Sequence, residues 1–181
     1  MSKPKRNRIG NATIEFTLVG IPLVFVLIST IEMARGMWIY HTLAYAIKGG
    51  TRYAVARGQN NSSANHSSYQ GVCTAIIQAG AGLLPEDLSL VFSSGLNGTK
   101  FVHTTPPFTA AACLSNSSPW PPAAIDDQPG QTISISGYYP FVSAISMFWP
   151  GAGPGMTFQS LTCNGPLALC LPAASQDIMQ F

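Results

Sequence analysis

Charge is scarce in this sequence. Asp, Glu, Lys and Arg together make up 9% of 181 residues, where an average soluble domain carries about 25%. The formal net charge of +2 excludes a strongly basic nucleic-acid binder, because phosphate contacts need clustered Lys and Arg. Apolar residues still reach 46%, so the low charge does not signal disorder, which pairs low hydrophobicity with high net charge. Ser, Thr, Asn and Gln fill about a quarter of the chain, and a surface wetted by hydroxyls and amides fits an exported protein. Catalytic patterns are missing as well: no G-x-S-x-G, H-E-x-x-H, G-x-x-x-x-G-K-[ST] or G-x-G-x-x-G before a helix. There is no C-x-x-C, and His41, His66 and His103 show no ligand spacing with the cysteines, which argues against a metal centre or a dithiol redox site. Glu86-Asp87 and Asp126-Asp127 are neighbours whose side chains diverge, and turn or capping roles are expected of them. The reading assigns no catalytic residue, metal or cofactor.

What charge there is has a location. Lys3, Lys5, Arg6 and Arg8 fall within the first eight residues, and the first acid is Glu15. Phe16 to Ile31 then runs for sixteen residues without a charge. At 1.5 Å per residue those residues span about 24 Å, short of a hydrocarbon core of about 30 Å. A helix starting near Asn11 reaches about 31 Å and puts Glu15 at the edge of the bilayer. Gly20 and Pro22 are compatible with a membrane helix, where neighbours satisfy the freed carbonyl. The positive-inside rule keeps the basic cluster cytoplasmic and exports the C-terminal 150 or so residues. Three readings fit this start: a cleaved secretory signal, a plain signal anchor and a processed leader. Ala34-Arg35-Gly36 makes a poor signal-peptidase site, crowded by Glu32 and Arg35.

The third reading rests on Arg8-Ile9-Gly10-Asn11-Ala12-Thr13-Ile14-Glu15-Phe16, which resembles a type IV prepilin-type processing site. Such sites have a short basic leader, Gly before the cut and Glu at the fifth mature position. The following stretch adds Pro22, Glu32, Trp38 with Tyr40, and Gly50-Thr51-Arg52-Tyr53-Ala54. Together these residues resemble the TadE-like family of minor pilins or pseudopilins of tight-adherence secretion systems, over about residues 6–57. Asn11 stands at the first mature position, where family members usually carry a smaller apolar residue. The resemblance implies cleavage after Gly10 by a prepilin peptidase. It also implies other pilin or pseudopilin subunits and the pilus assembly platform as partners, a bacterial inner-membrane location and, beyond it, a cell-surface pilus.

Independently of the family, a carboxylate in a membrane helix costs a few kcal/mol, so Glu15 calls for a partner. After cleavage the α-amine of Asn11 supplies a cation one helical turn away. Gly36, Tyr40, Leu43, Ile47, Gly50 and Ala54 follow a 4-3-4-3-4 spacing and share one helix face. That face suits either a partner helix or the underside of the chain's own domain. The assembly helix is therefore read as Glu15, Phe16, Pro22, Tyr40, Leu43 and Ile47, with a bend expected at Gly49-Gly50. Trp38 and Tyr40 lie slightly beyond the place of a tight interfacial belt.

Residues 58–68 form a polar linker, and 69–80 read as a short helix. Strands are expected at 88–92, 101–103, 132–136 and, more weakly, 156–163, with Asn97-Gly98 as a hairpin signal between the first two. Twelve of the fourteen prolines lie at or beyond Pro85, so loops are abundant. Cys73, Cys113, Cys163 and Cys170 all fall on the exported side, where an even count argues for disulfides. Four cysteines allow three pairings; 73–113 with 163–170 is favoured because the latter encloses a short Asn-Gly-Pro turn. The expected fold is α+β. A leader (1–10) precedes a transmembrane and extended helix (11–57), a linker (58–68) and a loop-rich antiparallel domain with disulfides (69–181). The competing class is a signal-anchored periplasmic enzyme or binding protein with its site in the loops after Pro85.

Overall fold

The computed structural model describes residues 9–58, 66–142 and 168–179. A single helix, α1 (Ile9–Arg57), runs for 49 residues, about 74 Å at helical rise. It passes through Pro22 and through Gly49-Gly50 without interruption. It ends at Gly58, whose φ of +46° and N–H to the Ala54 carbonyl (3.0 Å) close the helix in the left-handed conformation that glycine adopts most readily. The ends of the segment that follows are close together: Ser67 N–H donates to the Gly58 carbonyl at 3.0 Å.

Helix α2 (Tyr69–Ala79) starts where Ser68 accepts a hydrogen bond from Gly71 N–H, a side-chain N-cap. Strand β1 (Ser89–Asn97) turns into β2 (Lys100–Thr104) through Gly98-Thr99, with Asn97 opposite Lys100. Gly98 has φ +64°, as the first central position of a two-residue hairpin loop demands. Two-residue β3 (Phe108–Thr109) also pairs with β1 and leads into one turn of helix, α3 (Ala110–Cys113). A 3-10 turn over Ala124–Asp127 precedes β4 (Thr132–Val142) and β5 (Ala168–Ile178). The sheet is antiparallel, in the order β2-β1-β4-β5 with β3 added to β1.

A long apolar helix followed by an antiparallel sheet is the architecture the sequence led us to expect. Several strands differ from expectation: β1 runs to Asn97 rather than stopping at 92, and the two-residue β3 was not anticipated. β4 continues to Val142 rather than stopping at 136, and β5 was not anticipated. Pro140 lies beyond β1's last partner on β4, Tyr138, where the strand is paired only with β5; Pro172 sits in β5, the outer strand of the order. Proline is tolerated at such positions because one side of the strand needs no N–H. The strand expected at 156–163 lies outside the described residues.

The core forms where the second half of α1 crosses the sheet. Leu43, Ala46, Ile47 and Ala54 are fully buried with Val72 and Ile76 of α2 and with Leu90, Phe92, Ile133 and Ile135 of the sheet. The buried Thr51 returns its hydroxyl to the Ile47 carbonyl (3.0 Å). Two glycines set the spacing. A Cβ on Gly50 would collide with Ile76, and one on Gly137 of β4 would collide with Ile47. β4 thus lies along α1 with Gly137 opposite Leu43 and Ile47 and Phe141 opposite Gly36. Val142 pairs with Ala168, so β4 leaves the sheet and β5 enters it at the Gly36 end. An aromatic cluster of Tyr69, Phe92, Phe108 and Trp120 fills the far side of α2, and burial pushes the Tyr69 hydroxyl pKa up. Cys73 of α2 is bonded to Cys113 of α3, the pairing favoured from the sequence. Cys170 is disulfide-bonded too, and Cys163 lies outside the described residues.

Neighbouring glycines should respond in opposite ways. Gly50→Ala should destabilise by about 1–3 kcal/mol through overpacking against Ile76. Gly49→Ala should be neutral or stabilising by up to about 1 kcal/mol, from helix propensity alone, since its methyl would meet only Ala79 Cβ at 3.4 Å. Urea titration of the detergent-solubilised chain measures both. Cys73→Ser and Cys113→Ser should each cost about 2–5 kcal/mol, with the double variant little worse than either. Additive losses in the same titration would count against the shared bond.

Candidate assembly surface on the first half of helix α1

Helix α1 has two environments. From Gly36 onward one face is progressively covered by α2 and the sheet. From Thr13 to Ile31 the helix is largely exposed: Phe16 is 78% exposed, Leu18 72% and Ile21 70%. The apolar residues there point all round the axis, the pattern of a helix surrounded by apolar medium rather than of a half-buried surface helix. Thr13–Arg57 is the one candidate membrane span among the described residues. Its hydroxyls suit that setting. Thr17, Ser29 and Thr30 donate to carbonyls one turn back at 2.8–3.1 Å, so no hydroxyl proton is left facing hydrocarbon.

Gly20 makes a notch in this cylinder. Phe16, Thr17, Ile21, Val24, Phe25 and Ile28 line an apolar groove around it, and only Phe16 comes within 4 Å of where a Cβ would stand. Pro22 sits on the helix next to the groove and lacks an N–H for the Leu18 carbonyl. Gly10 and Asn11 form part of the first turns of α1, and Glu15 is an exposed side chain one turn further on. The surface carries shape and little charge.

The shared face expected over 36–54 is divided by the fold. Leu43, Ile47, Gly50 and Ala54 turn into the chain's own core, and Leu43 and Ile47, at 0% exposure, have no surface left to offer another subunit. Tyr40 remains exposed, with its ring edge-on to His41. The structure also joins Arg35 to the sheet domain, which the sequence reading did not. Arg35 lies 3.5 Å from Glu32 and 5.3 Å from the centre of the Phe141 ring, across a hundred residues of sequence.

A second polar grouping lies at the other end of the sheet. Asp126 is buried and accepts from Ser94 Oγ at 2.9 Å, with His103 Nδ1 at 2.7 Å. Asp127 turns the opposite way, its carboxylate against Gly58. The adjacent acids diverge, as expected of structural roles. Ser94 donates to the carboxylate rather than to the imidazole, so this is not the arrangement that activates a serine nucleophile. It ties the β1–β2 hairpin to the 3-10 turn. No group of His, Cys, Asp and Glu that could hold a metal ion exists among the described residues.

With this geometry in place, comparison with known proteins singles out the same region. Residues 10–52 match the family model described as TadE-like protein. This segment is TadE-like. The TadE-like match begins at Gly10 and takes in the whole uncovered half of α1, together with the face on which the sheet domain packs, and it supports a protein associated with the tight-adherence pilus. No curated protein and no solved structure matches the chain.

The polar tie predicts a graded response. Asp126→Ala should cost about 1.5–3 kcal/mol, the scale of a hydrogen bond to a charged group, because it strands the buried Ser94 hydroxyl. His103→Ala should cost less, since the ring is 43% exposed. Equal losses in thermal unfolding would contradict this account.

Proposed function

We propose that this chain is a membrane-anchored minor pilin or pseudopilin that supports assembly of a tight-adherence pilus and is cleaved after Gly10 by a prepilin peptidase. The observation that carries the reading is an overlap. The TadE-like match, residues 10–52, takes in the long apolar stretch of α1 whose side chains stand exposed. A helix without a partner inside its own chain has two apolar media to enter, lipid and a bundle of similar helices, and a pilin-type subunit uses both in turn. The groove at Gly20 favours this, since small residues let helix backbones approach closely in a medium with no hydrophobic drive between helices.

On this reading the leader stays cytoplasmic, held by Lys3, Lys5, Arg6 and Arg8, and the sheet domain faces the periplasm. The disulfide Cys73–Cys113 suits that oxidising compartment. Cleavage creates an α-amine on Asn11, four residues from Glu15 and therefore on the same side of the helix. The pair closes within a subunit or between neighbours, and it sets register more than it adds affinity. The protein's role is structural. Its partners are the peptidase, other pilin or pseudopilin subunits and the assembly platform.

Processing and association are separable. Replacing Gly10 with a bulky residue should block leader removal, and N-terminal sequencing of the membrane-extracted native protein should begin at Asn11. A start at Met37, or an intact Met1 in cells that contain the peptidase, would sink the proposal. Glu15→Ala should be inserted, cut and folded yet poorly recovered with pilin partners by crosslinking, and Glu15→Gln nearly as defective. Normal recovery of both variants would reduce α1 to a plain anchor.

A further inference from the structure

We infer that the near end of the sheet domain is seated in the phospholipid headgroup layer, as a membrane-contacting surface in its own right rather than a domain held above the bilayer on a stalk. The inference rests on α1 spanning a membrane, as proposed above, and adds where the domain stands relative to it. Glu15 at one end and the Glu32–Arg35 pair at the other bracket the uncharged run. Glu15 and Arg35 are twenty residues apart on an uninterrupted helix, which is about 30 Å, the thickness of a hydrocarbon core. The acid between them, Glu32, is 12% exposed and turned onto Arg35. Taking Glu15 as the inner edge moves the span four residues outward from a start at Asn11, and Arg35 becomes its outer edge.

The domain begins there. Phe141 of β4 packs over Gly36, with its ring 5.3 Å from the Arg35 guanidinium carbon. The loop after α2 reaches Trp38, whose ring end lies 3.2 Å from the Cβ position of Gly82. Both contacts fall within one helical turn of Arg35, about 5.4 Å. A headgroup layer is about 5–7 Å deep on each side, the difference between a core of about 30 Å and a whole bilayer of about 40–45 Å. Among the described residues, the first contacts between helix and domain therefore lie inside that layer.

The side chains exposed here suit it. Arg35 is half exposed and Trp38 58%, and Leu84, two residues after Gly82 on the loop that meets Trp38, is 51% exposed. Arg35 presents a guanidinium to lipid phosphate, the charge-assisted pairing that arginine makes best. Trp38 has the amphipathic ring that concentrates at membrane–water boundaries. The sequence alone placed Trp38 slightly too far out for this role. The bracket set by Glu15 and Arg35 brings it into range. Leu84 is an apolar side chain exposed on a loop held to the sheet by its N–H to the Tyr139 hydroxyl at 3.3 Å.

Depth measurements decide the matter. The full chain, reconstituted in phosphatidylethanolamine–phosphatidylglycerol vesicles, is spin-labelled without reductant at Leu84→Cys, at Thr99→Cys on the hairpin tip remote from Arg35, and at Val26→Cys mid-span. The ratio of collisions with oxygen to collisions with a water-soluble nickel chelate should be several-fold higher at Leu84 than at Thr99, and highest at Val26. Ala81→Cys, on the same loop, should match Leu84 and substitutes for it if that variant misfolds. Equal, aqueous ratios at Leu84 and Thr99 with an apolar Val26 would overturn the seating while leaving the span. An aqueous Val26 would overturn the span and the seating together.

Discussion

The contact of Ile47 with Gly137, and of Gly50 with Ile76, lets one helix serve two media. A strand carrying any side chain at 137 would stand too far from α1 to bury Leu43 and Ile47, and a side chain at 50 would lift α2 off the same helix. With glycine at both places, α2 and β4 close on α1 from two directions, and the upper half of an apolar helix becomes the centre of a folded domain. The disulfide between α2 and α3, the aromatic cluster behind α2 and the Asp126 tie all stabilise parts that this contact first brings together. None of them touches the lower half of α1, whose helicity rests on its own hydrogen bonds.

Local signals in the sequence were legible because they depend on local chemistry. The apolar run between Glu15 and Glu32, the short helix expected at 69–80 and the Asn97-Gly98 hairpin signal between β1 and β2 each follow from a few adjacent residues. The glycine pair at 49–50 was read from propensity alone, which does not show that the missing side chain at 50 admits a second helix. Strand β5 was hidden by composition: Leu-Pro-Ala-Ala-Ser-Gln has neither alternation nor branched residues, and its strand character comes from pairing with β4 over eleven positions. The tie among Ser94, His103 and Asp126 spans three separate elements and leaves no trace at any fixed spacing.

The candidate site divides along the same line. Gly10, Glu15, Phe16 and Pro22 fall on one helix, as expected, because a long apolar helix is encoded by its own residues. The stripe of Tyr40, Leu43 and Ile47 was correctly read as one face of a helix, yet periodicity does not say what covers a face. Only the tertiary structure assigns Leu43 and Ile47 to the interior and leaves Tyr40 outside. Arg35 went unnoticed because its significance lies in Phe141, a residue brought to it by the full length of β4.

The absence of a swivel between α1 and the sheet domain has a mechanical consequence. The helix enters the domain core without a break, so any rotation of the membrane segment about its axis is delivered to the domain undiminished. Each residue of α-helix advances by about 100° around the axis. Inserting or deleting one residue between Ile28 and Arg35 would therefore swing the whole domain by about that angle relative to the groove at Gly20. The length of the apolar run thus fixes an azimuth as well as a depth, and the direction in which β5 faces its surroundings is written in a residue count.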